Sequence, residues 1–209
     1  VNSLYPSVIR ALNMGPETII GQVRQTMTQK FIAEKIAKGS SFANAWEGLF
    51  GSLEYTSIMN KEIGTELTID WENGASEQLS AAEIYRLIFE TNKSWMLSAN
   101  GTIFSYEQEG VIPGLLKKWY ADRKTMQAKL KQAIADGNKT QEEYWDKRQL
   151  VRKLQLNSTY GALLNAGSRF FDQRLGQSVT LTGRQVVKHM SAETNKIITG
   201  EYDYRGKAI

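Results

Sequence analysis

Between positions 153 and 161 the sequence reads KLQLNSTYG. In a helix, Lys153, Asn157, Tyr160 and Leu164 fall at i, i+4, i+7 and i+11, along one face. That face carries a cation, an amide, a phenol and, at Gly161, bare backbone. Such a set suits a triphosphate with a base stacked beside it. Glycine in a helix interior costs about 1 kcal/mol against alanine, so Gly161 implies close approach by another group. An earlier segment supplies Arg123, with Lys124 next to it and Lys117 and Lys131 a heptad to either side of Lys124. If the two segments pack antiparallel, Arg123 and Lys153 converge. Two cations facing one cavity are costly unless an anion lies between them. The same pattern also describes an ordinary amphipathic hairpin with Tyr160 in its core, and spacing alone leaves both readings open.

Composition narrows the chemistry. The 209 residues are 41% hydrophobic and 23% charged, an ordinary globular balance that excludes disorder and low-complexity classes. No cysteine is present, which removes disulfides, thiolate catalysis and cysteine-bound zinc. The one histidine, His189, excludes His-clustered metals and argues against a His-based triad. Any metal must be a hard ion on oxygen ligands. No run of eighteen apolar residues is long enough to span a membrane. The net charge is +4, and it is uneven. Positions 113–153 hold eleven Lys and Arg against five Asp and Glu, a local +6 that leaves −2 for the remainder. A basic block of this kind fits a polyanionic partner, or equally a solvated helix face.

The elements that must position these residues are partly legible. The opening VNSLYPSVIRALNMGPETIIG reads as the end of a strand, a turn at Pro6 and a short helix. A second helix is expected over Gln29–Lys38, then strands in LFGSLEYTSIM and TELTIDW. In the latter, Thr68, Asp70 and Glu72 alternate with Leu67, Ile69 and Trp71. Positions 80–99 show helical spacing, with Ile84, Leu87, Ile88 and Trp95 on one stripe. Asn100-Gly101 is a hairpin turn signal joining MLSA to TIFSYEQ. Two long helical patterns, Pro113–Ala135 and Thr140–Asn165, flank DGNK, with Gly137 as a C-terminal cap and Thr140 and Glu143 as a capping box. Each arm is about 34–39 Å long at 1.5 Å per residue. Strand-like TIFSYEQ before the hairpin and FFDQR after it imply that it rises from a sheet-based body. A last helix spans about Thr182–Ile198, and the tail EYDYRGKAI reads as the start of a strand, so the chain is expected to be a fragment. Asp70 and Glu72 share a strand face, where solvation explains them better than an acid–base pair. The five tryptophans are scattered, as packing anchors are.

Four segments, in order, resemble the motifs of family B DNA polymerases, in a style similar to those of tailed bacteriophages (NMGPETIIG included). SLYPS at 3–7 resembles the end of motif A. EGVIPGLLKKWYADRK at 109–124 resembles the entry to the fingers, ending in a phosphate-binding arginine. KLQLNSTYG resembles motif B, and TLTGR at 180–184 resembles the Thr-x-x-Gly-Arg element beyond it. The resemblance implies an α+β fold, a partial palm with antiparallel strands carrying an α-helical hairpin. Its parts are palm at 1–109, with a family-atypical insertion around 22–98, fingers at 110–166 and palm again at 167–209.

By the same resemblance, the backbone amides of Ser3, Leu4 and Tyr5 lie against the triphosphate, and the Tyr5 ring acts as a steric gate below the sugar. Arg123 and Lys153 hold phosphates, with Asn157 nearby. Ser158, Tyr160 and Gly161 face the nascent base pair, and Arg184 meets a DNA phosphate. The implied cofactor is Mg²⁺, two ions in the complete enzyme, and the implied partners are primer–template DNA, deoxynucleoside triphosphates and the remaining polymerase segments. The implied location is cytoplasmic, in a bacterial host if phage-encoded. The motif A aspartate and the Tyr-Gly-Asp-Thr-Asp carboxylates map outside these residues, and only the Val1 carbonyl corresponds to a metal ligand. The second phosphate-binding lysine, four after the arginine, is Gln127 here. The implied function is template-directed DNA synthesis, this chain being the nucleotide-binding fragment; the alternative is a non-catalytic nucleotide- or nucleic-acid-binding module that needs a partner chain.

Overall fold

The structure, a computed structural model, describes residues 3–46 and 49–200. Its frame is an antiparallel sheet of β1 (Ile19–Val23), β2 (Glu66–Trp71), β3 (Ser76–Ser80), β4 (Trp95–Leu97) and β5 (Thr102–Ser105), in the order β3-β2-β1-β5-β4. The alternation seen around Leu67–Trp71 is that of β2, with Leu67 and Ile69 buried. Asn100 and Gly101 close the β4–β5 hairpin, in which Leu97 pairs with Ile103. Successive residues of a strand face opposite ways. Ile103 accordingly joins a core with Val23, Ile58, Leu67 and Ile84, and Phe104 joins another with Ile9, Leu116, Leu156 and Leu175.

Helices therefore cover both faces. The first core is closed by α4 (Leu53–Met59) and α5 (Ala81–Phe89), with α2 (Thr26–Ala37) beside α4 and the short α3 (Phe42–Ala45) against α2. The second lies under α1 (Leu4–Ala11), α6 (Val111–Ala135), α7 (Lys139–Leu163) and α8 (Gln173–Ile198). The fold is α+β, as expected, and α6–α7 is the long helical hairpin. Its turn is a Schellman cap: Gly137, at φ 66°, donates to Ile134 O at 3.1 Å, and Asn138 donates to Ala133 O at 3.0 Å. Among the described residues no helix is long and apolar enough to cross a membrane.

Several local expectations are corrected. Pro6 is no turn but the third residue of α1, a first-turn position where its missing N–H has no intrahelical role. The strand expected ahead of it falls largely on residues 1–2, outside the described residues, as does all of the EYDYRGKAI tail. LFGSLEYTSIM is not a strand. Ser52 accepts a hydrogen bond from Tyr55 N at 3.0 Å and starts α4. The buried Glu54 carboxylate accepts from Met27 N at 2.6 Å and Thr28 N at 3.1 Å, which moves the start of α2 forward to Thr26. The 80–99 stripe breaks at Phe89, before Asn92 at φ 52°, so Trp95 stands on β4 against the Trp71 ring. FFDQR forms no strand: Asp172 caps α8, accepting from Arg174 N at 2.8 Å. Asn138, not a Thr140–Glu143 box, caps α7 by accepting from Gln141 N at 3.1 Å.

The segment after α1 fixes where the hairpin begins. Buried Asn13 donates to Ser105 O and Gln108 O, both at 2.8 Å, and accepts from Gly110 N at 2.9 Å. Glu17 accepts from Val111 N at 2.5 Å, the first residue of α6. An unsatisfied N–H at a helix start is stabilised by such a carboxylate. Asn13→Ala strands one donor and two acceptors in the interior, and is expected to lower stability by roughly 2–4 kcal/mol, read from urea unfolding. A loss below 1 kcal/mol would show that this junction does not hold the hairpin base.

Candidate functional site

SLYPS and NSTYG meet at one pair of rings. Tyr5, in the first turn of α1, and Tyr160, in the last turn of α7, have ring centroids 4.5 Å apart at 45°. TLTGR completes the cluster from α8. A Cβ placed on buried Gly183 would lie 3.5 Å from Leu4 Cδ2 and 3.8 Å from Tyr5 Cε1. Thr180, three residues earlier on the same helix, lies near the Tyr160 phenol and donates to Gly176 O at 3.0 Å. Burial holds that phenol above the ordinary tyrosine range, Tyr5 adds to the rise, and Thr180 opposes it. Tyr5 stays 38% exposed, so part of its ring faces solvent.

The start of α1 adds polar backbone to the rings. Leu4 and Tyr5 hold the first two helical positions, where N–H groups have no intrahelical acceptor and the helix dipole is positive. Ser3 precedes them at φ 61° and accepts from Ser7 N at 3.0 Å.

The cations come from the hairpin. Half-buried Arg123 donates through Nε to Gln149 Oε1 at 3.4 Å. Gln149 and Lys153 are i and i+4 on α7, so Arg123 and Lys153 emerge about one helical turn, or about 5.4 Å, apart along the hairpin. Asp122 and Arg152, bridged at 3.2 Å, fix the same antiparallel register, and Arg152 also stacks 5.6 Å from the Trp119 centroid. Lys153 and Asn157 are exposed, as is Ser158, whose Oγ bonds back to Gln155 O at 3.2 Å. Leu164 does not extend this surface but lies across Gly176 of α8. Among the described residues, nothing beyond the local helix backbone lies within 4 Å of a Cβ placed on Gly161. Arg184 stands apart from the rings, exposed, with its guanidinium 5.6 Å from the Phe50 centroid.

Other polar candidates are accounted for. Asp70 accepts from Arg24 at 2.7 and 2.8 Å and from Ser76 at 2.6 Å, and these bonds hold its carboxyl below the usual range. Glu72 pairs with Arg174, which also bonds Asp172. They are ion partners, not an acid–base pair. Among the described residues no group of three or more His, Cys, Asp or Glu could hold a metal ion. These residues do not fit a two-Mg²⁺ site, and Val1, whose carbonyl was the one corresponding ligand, lies outside the described residues. Asn13 and Phe50 carried no signal in the sequence. Gly183 carried one, a glycine inside a helical pattern.

Three separated segments thus fold onto one tyrosine pair, beside a cationic helical hairpin on an antiparallel sheet. The chain belongs to DNA polymerase family B, whose family signature matches residues 1–207. It is 25% identical to the DNA-directed DNA polymerase of Enterobacteria phage T4 over 95% of this chain and 22% of that protein. It is 24% identical to that of Escherichia phage RB69 over 100% of this chain and 23% of that protein. A DNA polymerase of Paramecium bursaria Chlorella virus NY2A is 26% identical over 95% of this chain and 16% of its own length. The chain thus spans less than a quarter of these relatives.

Because the Tyr160 shift is upward, its contribution to stability is full below about pH 10 and lost as pH rises through the raised value. Tyr5→Phe is expected to lower the Tyr160 pKa without returning it to the ordinary value, since burial is the larger cause. Carbon-detected NMR titration of labelled tyrosine reads this directly; an unchanged midpoint would mean the phenols are not coupled.

Proposed function

We propose that this chain is the nucleotide-binding palm and fingers portion of a template-directed DNA polymerase, which extends a primer 3′-hydroxyl with deoxynucleoside triphosphates. The palm comprises 1–109 and 167–209, and the fingers 110–166. The observation that carries the reading is the Tyr5–Tyr160 contact, which sets the N-terminus of α1 against an aromatic floor at the end of the helix whose same face carries Asn157 and Lys153.

The roles follow from that arrangement. Free amides at the start of α1 (Ser3, Leu4 and Tyr5) suit phosphate oxygens, as helix N-termini do. Arg123 and Lys153 hold the outer phosphates, and Asn157, one turn on from Lys153, hydrogen-bonds beside them. The Gln149 contact keeps Arg123 aimed into the hairpin face without neutralising it, because its partner is an uncharged amide. Tyr5, propped by Tyr160 and Gly183, lies below the sugar and collides with a 2′-hydroxyl, a repulsive element of specificity. Ser158, Tyr160 and the open backbone at Gly161 face the new base pair, and Arg184 meets a DNA phosphate.

Mg²⁺ supplies charge neutralisation and alignment of the attacking oxygen in such enzymes, and the carboxylates that would hold it belong to family motifs outside these residues. This chain's own contribution is to bind the triphosphate, orient it and reject the wrong sugar.

Arg123→Ala and Lys153→Ala should each weaken deoxynucleoside triphosphate binding by about 10- to 150-fold, the range for charge-assisted contacts, in calorimetric titration. Equal affinity in all three proteins removes the phosphate assignment. In a polymerase completed with the family's carboxylate motifs, Tyr5→Ala is expected to admit ribonucleotides while retaining primer extension. If completion restores no extension yet binding persists, the non-catalytic binding module is the correct reading.

A further inference from the structure

The segment between β1 and β4, which the motifs leave without a role, sets an aromatic ring against two cations of α8. Phe50 lies 5.6 Å by its centroid from the Arg184 guanidinium and 4.1 Å from the Lys188 ammonium. Arg184 and Lys188 are i and i+4 on α8, so both project from one exposed stripe. Neither forms an ion pair among the described residues.

Phe50 is held firmly where it stands. Ser52 N donates to Ala99 O at 2.8 Å. A Cβ on Gly51 would come 3.0 Å from that same oxygen and 3.2 Å from Ala99 Cβ, so a larger residue there would press the two segments apart. The Ala99 turn is in its turn fastened to α8, where Ala99 N donates to Thr182 Oγ1 at 3.1 Å and Ser98 Oγ meets Ser178 Oγ at 3.0 Å in the interior. The ring, the hairpin turn and the helix are therefore one unit.

We infer that Phe50 braces Arg184 and Lys188 as a two-cation fork for the phosphates of the primer–template duplex. The inference rests on the polymerase reading above and extends it to Lys188 and to the inserted segment. Long cationic side chains lose rotamer freedom when they bind, and an aromatic face that already holds them reduces that loss. Two like charges gathered on one ring also repel, which a phosphodiester between or beside them relieves. The location fits: a Cβ on Gly183, the residue before Arg184, would lie 3.8 Å from Tyr5 Cε1, so the fork projects from an adjacent face of the helix turn that passes the ring cluster.

The test is duplex binding by fluorescence anisotropy across a KCl series, in a polymerase chain carrying this sequence with the family's carboxylate motifs. Lys188→Gln should reduce the slope of log K against log salt by about 0.9, and weaken binding about fivefold at 0.15 M salt. Phe50→Leu, which keeps the apolar packing and all charges, should weaken binding about two- to fivefold with an unchanged melting temperature. An unchanged slope in Lys188→Gln, or unchanged affinity in Phe50→Leu, overturns the fork. Arg123→Ala serves as the control. If it still lowers triphosphate affinity while the fork variants are silent, only this inference fails. If the unsubstituted protein binds neither duplex nor triphosphate, the polymerase reading fails with it.

Discussion

The contact between Tyr5 and Tyr160 is the constraint on which the other parts depend. It joins the first helix to the end of the seventh across more than 150 residues of chain. Closing so long a loop costs only slowly increasing entropy, but the contact must still be prepared on both sides. On one side Asn13 and Glu17 tie the end of α1 to the start of α6, so α1 and the hairpin base move as one. On the other, Tyr160 packs on the core containing Ile9, Leu116 and Leu156. From the remaining direction α8 passes the Leu4 and Tyr5 side chains at Gly183. Remove any of the three supports and the ring keeps its chemistry but loses its place.

The hairpin's charge is affordable because most of it is spread along exposed helix surface, where like charges interact weakly across water. Lys124, Lys129 and Arg148 lie over aromatic rings of the hairpin itself, and Lys117 is bridged to Glu109. Arg123 is different. It is half-buried against an amide that cannot neutralise it, one turn from Lys153. On the function proposed above, that pair, rather than the overall +6, is where the chain would meet an anion.

The hairpin was legible because its periodicity is long and its turn carries DGN, whose glycine the Schellman cap uses. β2 and the Asn100-Gly101 turn were legible for the same reason, each having a local signature. LFGSLEYTSIM was misread because a short apolar run is ambiguous, and what decided it lay elsewhere: Ser52 as a cap, and Glu54 turned inward to serve α2. Trp95 was placed on a helix stripe because spacing cannot see Asn92 adopt a positive φ. The face of Lys153, Asn157 and Tyr160 could be read from spacing alone, since one helix carries it. Asn13, Gly183 and Phe50 could not, since each acquires meaning only from residues far along the chain.

The sheet explains why α8 can serve two surfaces at once. Its first turn is tied by Arg174 to Asp172 and to Glu72 at the end of β2, and its second and third turns by Ser178 and Thr182 to the β4–β5 hairpin. These bonds fix the helix in rotation as well as in position. Successive residues of a helix differ by about 100° in direction, so fixing Thr182 also fixes Gly183 toward Tyr5 and Arg184 toward Phe50. A slip of one residue in α8 would bring a side chain against Tyr5 and turn the guanidinium off its ring together. The rotational lock, supplied largely by the segment that looked like an insertion, is what allows a single stretch of TLTGR to prop a tyrosine on one face and present a cation on another.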